Sequence, residues 1–289
     1  MNISKYKLLQ MRETIMHILF FTAACVSVLA VGLICVFLFA NGFPAIQEIG
    51  LLDFLAGEKW KPGNDIYGIM PMIRGSVYTT AGAILFGVPV GILMAVFMAR
   101  FCPAKLYKLL KPAVDLLAGI PSIVYGFFGL IVLVPFIRNN FGGDGQSMLT
   151  ASVLLAIIIL PSLISVSESA LRAVPENYYE GALALGASHE RSVFFTVVPA
   201  AKSGILAAVI LGIGRAVGET MAVMMVVGNQ PRIPDSMLDG VRTLTTNVVM
   251  EMGYAADLHR EALVATAVVL FVFILIINLT FSLVKRRGL

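Results

Sequence analysis

Six apolar windows, at residues 15–40, 76–99, 113–137, 149–171, 204–228 and 261–284, constrain most strongly what this chain can fold into. A hydrocarbon core of about 30 Å takes about 20 helical residues to cross. Lipid offers no partner to a backbone N–H or C=O, so each window must close its hydrogen bonds within its own helix. Composition agrees: 58% of the 289 residues are hydrophobic and 13% charged, with a mean hydropathy of +0.90, whereas soluble domains carry about 25% charged residues. The sequence therefore predicts an all-α, polytopic integral membrane protein with six transmembrane helices in the lipid bilayer. The first window is longer than the roughly 7–15 apolar residues of a signal peptide, which makes it an anchor.

The net charge of +4 does not point to nucleic acid, because the basic residues flank the apolar windows and form no stripe of their own. With a cytoplasmic N-terminus, the inner segments hold Lys5, Lys7, Arg12, Arg100, Lys105, Lys108, Lys111, Arg172, Arg191, Lys202, Lys285, Arg286 and Arg287. The outer segments hold Lys59, Lys61, Arg74, Arg138, Arg232, Arg242 and Arg260, spread over longer stretches. That bias places both termini in the cytoplasm. Two outer segments, 41–75 with Trp60 and 229–260 with Pro231 and Pro234, are long enough either to dock a soluble partner or to serve as ordered connectors over the helix ends. Cys25, Cys35 and Cys102 share no aqueous loop, so neither a disulfide nor a metal site is expected. No internal repeat is visible, which argues against transporters built from two repeated halves.

Nothing in the chain is built to hydrolyse a nucleotide. Lys202-Ser203 has the end of a P-loop pattern, but Ala201 stands where glycine is needed. His189-Glu190 begins like a zinc motif, yet Val193 replaces the second histidine. The chain is expected to be no enzyme and to bind no cofactor, so any ATP must be handled by another subunit. Segment 175–205, between the fourth and fifth windows, is by contrast more elaborate than a connector needs to be. Pro175 suits a first helical position, Gly186 breaks the helix and Pro199 ends a second one. Gly181, Ala182 and Ala184 allow a partner surface to approach closely, while Tyr178, Tyr179, Leu183, Phe194 and Phe195 are expected to anchor the knob to the spans. Glu180 adds a charge for a basic or backbone-donor group to hold. The alternative is an interfacial amphipathic helix.

Arg215 and Glu219 stand four residues apart, on one face of the fifth window if it is a continuous helix. At about 1.5 Å per residue from Gly204, Arg215 lies roughly 16 Å in, close to the bilayer midplane. A charge there costs about 2.5 kcal/mol or more on insertion scales and by default marks a functional site. The planar guanidinium fork fits an oxyanion such as phosphate; the other reading is a self-neutralised pair that fixes packing. Gly214 and Gly218 bracket the pair with small-xxx-small spacing, which suits a subunit interface or ordinary packing within the chain. In the third window, Pro121 within the stretch AGIPSIVYG implies a kink, and Ser122 and Tyr125 offer hydroxyls to a pathway wall or merely flank a structural bend. Glu168, with Arg172 four residues on, is expected to be an interfacial charge.

AGIPSIVYG, the loop ALRAVPENYYEGALALGAS and the span LGIGRAVGETMAV together resemble the permeases of the phosphate-specific ABC importer. The loop's Glu180, Gly181, Ala182 and Gly186, followed by Val198-Pro199, resemble the E-A-A signature of type I importers, with Gly181 in place of the first alanine. The long first outer segment with Trp60, leading into Gly68-Ile69-Met70-Pro71, is similar to the PstC member of the permease pair more than to PstA. The resemblance implies a type I importer permease fold in the bacterial plasma membrane. It further implies a second, PstA-type permease, ATPase subunits that use the ATP and dock on the 175–205 loop, and an extracytoplasmic phosphate-binding protein. On that reading Arg215 meets the anion and Glu219 holds the guanidinium otherwise. A permease for sulfate or molybdate, or an ion-coupled secondary transporter, stays open as an alternative. The expected organisation is an anchor and outer segment at 1–71, a transport core at 72–284 and a cytoplasmic tail at 285–289.

Overall fold

Glycines on one helix set how closely the two central helices of the molecule approach. The computed structural model describes the backbone of residues 3–287 and the side chains of residues 11–280 and Leu283. The side chains of Lys5, Lys7, Lys285, Arg286 and Arg287, which enter the orientation count, and the end of the 285–289 tail lie outside it. Helix α3 (Met70–Val96) packs along α7 (Met148–Arg172). A Cβ on Gly82 would fall 2.4 Å from Ser152 Oγ, one on Gly87 would fall 3.0 Å from Ile159, and one on Gly91 would fall 2.3 Å from Leu163. In lipid there is little hydrophobic drive between helices, so close backbone approach of this kind supplies the attraction.

Around that pair the chain lays its other elements in order. Helix α1 (Ile3–Ile49) is followed by α2 (Leu51–Ala56) and a hairpin of two short strands, β1 (Trp60–Lys61) and β2 (Ile66–Tyr67), with Trp60 opposite Tyr67. The hairpin is a small departure from an all-α chain. The apolar window of α1 is unburied within the chain; its C-terminal part meets α14 (Asp257–Arg287), where Phe39 touches Phe271 edge-on at 6.3 Å. Helix α13 (Leu244–Glu251) starts in a capping box on Thr243, and Ser76 Oγ accepts from Leu244 N at 2.9 Å. Gly75 is pressed onto the same corner: a Cβ there would sit 2.3 Å from Arg242 O. Because that atom belongs to backbone, Gly75→Ala is expected to cost about 1–3 kcal/mol by overpacking, measured as a lower unfolding midpoint of the detergent-solubilised protein.

Two of the six windows are not single helices. The third divides into α4 (Ala104–Gly119), α5 (Ser122–Phe128) and α6 (Val134–Phe141), the last two joined through a π turn at Gly129–Leu133. Proline cannot continue a helical ladder and forces the residue before it out of the α region, and Ile120 is extended at φ −68°, ψ 127°. The apolar span is therefore Ser122–Phe141 rather than 113–137, and α4 is a separate amphipathic helix. The fifth window divides into α11 (Lys202–Gly218) and α12 (Met221–Val226), with Glu219 extended between them. Among the described residues five helices are long and apolar enough to cross a membrane, and the count reaches six when the bent stretch, in which His189–Ala200 turns by 68° into Lys202–Gly218, is taken as one span.

Candidate functional site

The two interrupted spans meet. Helix α5 packs on α12, where a Cβ on Gly126 would come within 2.9 Å of Ala222 Cα. Tyr125 is buried, and its hydroxyl donates to Leu117 O at 2.8 Å, closing the gap that Pro121 opens. Ser122 starts α5 and is half-buried. Arg215, in the last turn of α11, is half-buried and lies near enough to Tyr125 to act on it electrostatically. Three of the four pathway residues expected from the sequence thus gather around these breaks, and Glu219 forms the second break itself.

The expected Arg215–Glu219 pair is not formed. Its i, i+4 register required a continuous helix, and α11 ends at Gly218. Glu219 Oε1 instead accepts from Ala222 N at 3.3 Å, capping α12, and Glu219 O accepts from Thr245 Oγ1 at 3.4 Å. None of the ion pairs among the described residues includes Arg215. Gly214 and Gly218 have no neighbour within 4 Å of an added Cβ, so they mediate no close packing inside this chain.

Segment 175–205 forms a protruding knob. Its helix α8 (Glu176–Ala184) has no buried residue, and Pro175 is its N-cap rather than its first helical residue. Gly186 turns the chain at φ +85°, in open space, into α9 (His189–Ser192), a π turn at Val193–Val197 and α10 (Val198–Ala200). Pro199 lies in α10, just before the 68° bend at Ala201. Of the expected anchors, Tyr179 alone is held among buried residues. Tyr178, Leu183, Phe194 and Phe195 are exposed, and Leu185 is 91% exposed. Glu180, Gly181 and Gly186 face outward and Ala182 is half-buried. An apolar, outward-facing tip is what a docking surface needs and what an isolated soluble knob would avoid.

Two charge clusters reach beyond what spacing shows. Glu168, near the end of α7, forms the pair with Arg172 four residues on, Arg172 Nε lying 2.8 Å from Oε1, but it is buried, and Lys111 Nζ of α4, which no spacing links to it, lies 3.5 Å from Oε2. Burial works against the Lys111 ammonium, yet Asp115 and Glu168 beside it hold its pKa above the ordinary lysine value. On the opposite end, Glu251 gathers Trp60 Nε1 at 2.8 Å, His259 Nε2 at 2.8 Å and Arg242 Nη1. Trp60 and Glu251 are 191 positions apart, beyond any spacing rule.

A family model described as the binding-protein-dependent transport system inner membrane component matches residues 87–287. The chain belongs to this family. A relative described as a probable ABC transporter permease protein, YqgH of Bacillus subtilis (strain 168), is 37% identical over 266 residues, covering 88% of this permease and 86% of its own length. The phosphate transport system permease protein PstC of Mesorhizobium japonicum is 35% identical over 286 residues, covering 92% and 87%. Among solved structures, the permease shares its fold with an inward-facing MetNI methionine ABC transporter (TM-score 0.61, 20% identity, 80% of this chain and 100% of that one). It also shares it with a bacterial ABC transporter that imports alginate (TM-score 0.61, 14% identity, 93% and 98%). The permease therefore has the type I ABC importer fold and is a multi-pass inner-membrane transport component.

Proposed function

We propose that this permease carries phosphate across the cytoplasmic membrane as one subunit of an ATP-driven importer. Its partners on this reading are a second, PstA-type permease, ATPase subunits and an extracytoplasmic phosphate-binding protein. Both termini are cytoplasmic, the 175–205 knob receives the ATPase, and the chain binds no cofactor, the ATP being used by its partner. The observation that carries the reading is Arg215: a half-buried guanidinium that forms no ion pair among the described residues, beside two broken spans. A charge so placed is costly in lipid, and a phosphate oxyanion supplies the bidentate acceptor its fork requires. Phosphate chemistry is favoured further by PstC relatives that align over most of the chain. Gly214 and Gly218, bare within this chain, offer the second permease a close backbone contact.

Reconstitution with these partners in proteoliposomes tests the substrate. ATP turnover is expected to rise with phosphate-loaded binding protein and stay basal with sulfate or molybdate; the reverse pattern would overturn the assignment. The docking half has its own measurement. Gly186→Val strains the positive-φ turn by about 1–2 kcal/mol without an internal clash, and is expected to lower ATPase co-purification and uptake together. Full uptake with undiminished co-purification would sink the docking role.

A further inference from the structure

The second span ends in a turn that reaches directly into the knob. Helix α3 runs into a π turn at Phe97–Phe101, a register in which an N–H bonds to the carbonyl five residues back. Cys102 N closes on Phe97 O at 2.8 Å, but the next donor in that register is residue 103, and Pro103 has no N–H. Met98 O is thereby left free, and Arg172 Nη2, at the end of α7, takes it at 2.9 Å.

The same turn aims Arg100 at α8. Its side chain is 11% exposed, with Nη1 2.8 Å from Glu176 Oε2 and Nη2 donating to Leu171 O at 3.4 Å. The guanidinium carbon lies 5.8 Å from the centre of the Tyr179 ring. Phe101, the next residue, meets the His189 ring edge-on at 4.6 Å, and His189 Nδ1 lies 2.7 Å from the Tyr179 hydroxyl. One turn of the second span therefore holds the start of both knob helices. Beside this joint, a pocket of about 340 Å³ lies between Pro175 and Tyr178 at the start of the knob and Ala200, Ala201 and Gly204 at its end.

Magnitudes decide what this joint is for. Glu176 is 57% exposed, so the ion pair adds little stability, typically about 0–1 kcal/mol for a solvated pair. Arg100 Nε is buried with no partner, which is a cost. An arrangement that adds little stability and leaves a donor unmet fixes geometry instead. We propose that Arg100 is a positioning residue that makes the knob and the second span move as one body, so that ATPase motion reaches the transport pathway. This rests on the reading of 175–205 as the ATPase-docking loop.

The test uses the complete complex in nanodiscs with phosphate-loaded binding protein. In Arg100→Gln the ATPase is expected to co-purify in full and turn over at its basal rate, while stimulation by the binding protein falls about tenfold. Arg100→Lys keeps the charge facing Glu176 but loses the second donor arm, and should recover part of the stimulation; Glu176→Gln should lower it. A residue needed only for folding would lower co-purification and basal turnover in step with stimulation, and that result overturns the proposal. Unchanged stimulation in Arg100→Gln overturns it equally. Failure of the docking reading looks different: a Leu185→Glu chain that binds ATPase and transports normally shows that the loop tip is not the contact, whatever Arg100 does.

Discussion

Arg215→Ala is expected to reduce phosphate uptake by about 100-fold, because two charge-assisted bonds to the anion, at about 1.5 kcal/mol each, are lost together. Arg215→Lys retains the charge but not the planar fork and should lose about tenfold, the effect of a single such bond. The measurement is labelled phosphate uptake in cells lacking other phosphate transporters, with membrane levels of the permease checked in parallel. Uptake at the wild-type rate in Arg215→Ala would remove the anion role. Glu219 should behave differently from a partner of Arg215, since its carboxylate caps α12 at Ala222 N. Glu219→Gln keeps an acceptor oxygen at that N–H and should be milder than Glu219→Ala.

Glu251→Ala should give the largest loss of stability. Glu251 and Arg242 have side chains 8% and 11% exposed, and Arg242 also donates to Asn229 O and Asn247 Oδ1, at 3.0 Å each. Truncating the acid leaves that cation buried without its counter-charge, which costs about 3–5 kcal/mol. It also strands the indole N–H of Trp60, which has Glu251 as its acceptor. Thermal unfolding in detergent should show a strong drop for Glu251→Ala and a smaller one for Glu251→Gln. Removing both charges, as Glu251→Leu with Arg242→Met, should recover the part of the loss due to the uncompensated cation, because an apolar pair of similar volume is often neutral against a buried ion pair, while the unpaired Trp60 N–H and Asn247 Oδ1 remain as a cost. A double variant as unstable as Glu251→Ala would show that the counter-charge is not the cause.

These two residues mark the limits of what the chain reveals before folding. Arg215 is legible because a charge in an apolar window has few explanations, whereas Glu251 lies in a polar segment between windows, where a carboxylate raises no question. Its importance comes from Trp60, 191 positions away. The glycines divide in the same manner. Gly214 and Gly218 draw the eye by their spacing but touch nothing in this chain, while Gly82, Gly87 and Gly91, spaced by four and five residues, form the close α3–α7 contact. Spacing specifies a bare stripe on a helix; it does not say which neighbour lies against it.

The knob shows a further limit. Its helix, glycine break and second helix follow from backbone chemistry at Gly186 and at Pro175, the N-cap of α8. Which of its aromatic side chains turn inward depends on what lies beneath them. Tyr179 meets Arg100 and His189, whereas Phe195 is 77% exposed.

By itself the sequence determined the membrane and the helical class and drew attention to the half-buried arginine, because lipid demands long apolar helices and penalises an unpaired charge whatever the rest of the chain does. The tertiary structure decided where those helices break and what their polar groups meet. Of the six uniform windows, four became single helices and two were interrupted, since a lost N–H at Pro121 and an extended Glu219 are tolerated where Tyr125, Ala222 and Thr245 lie within reach to satisfy the freed groups.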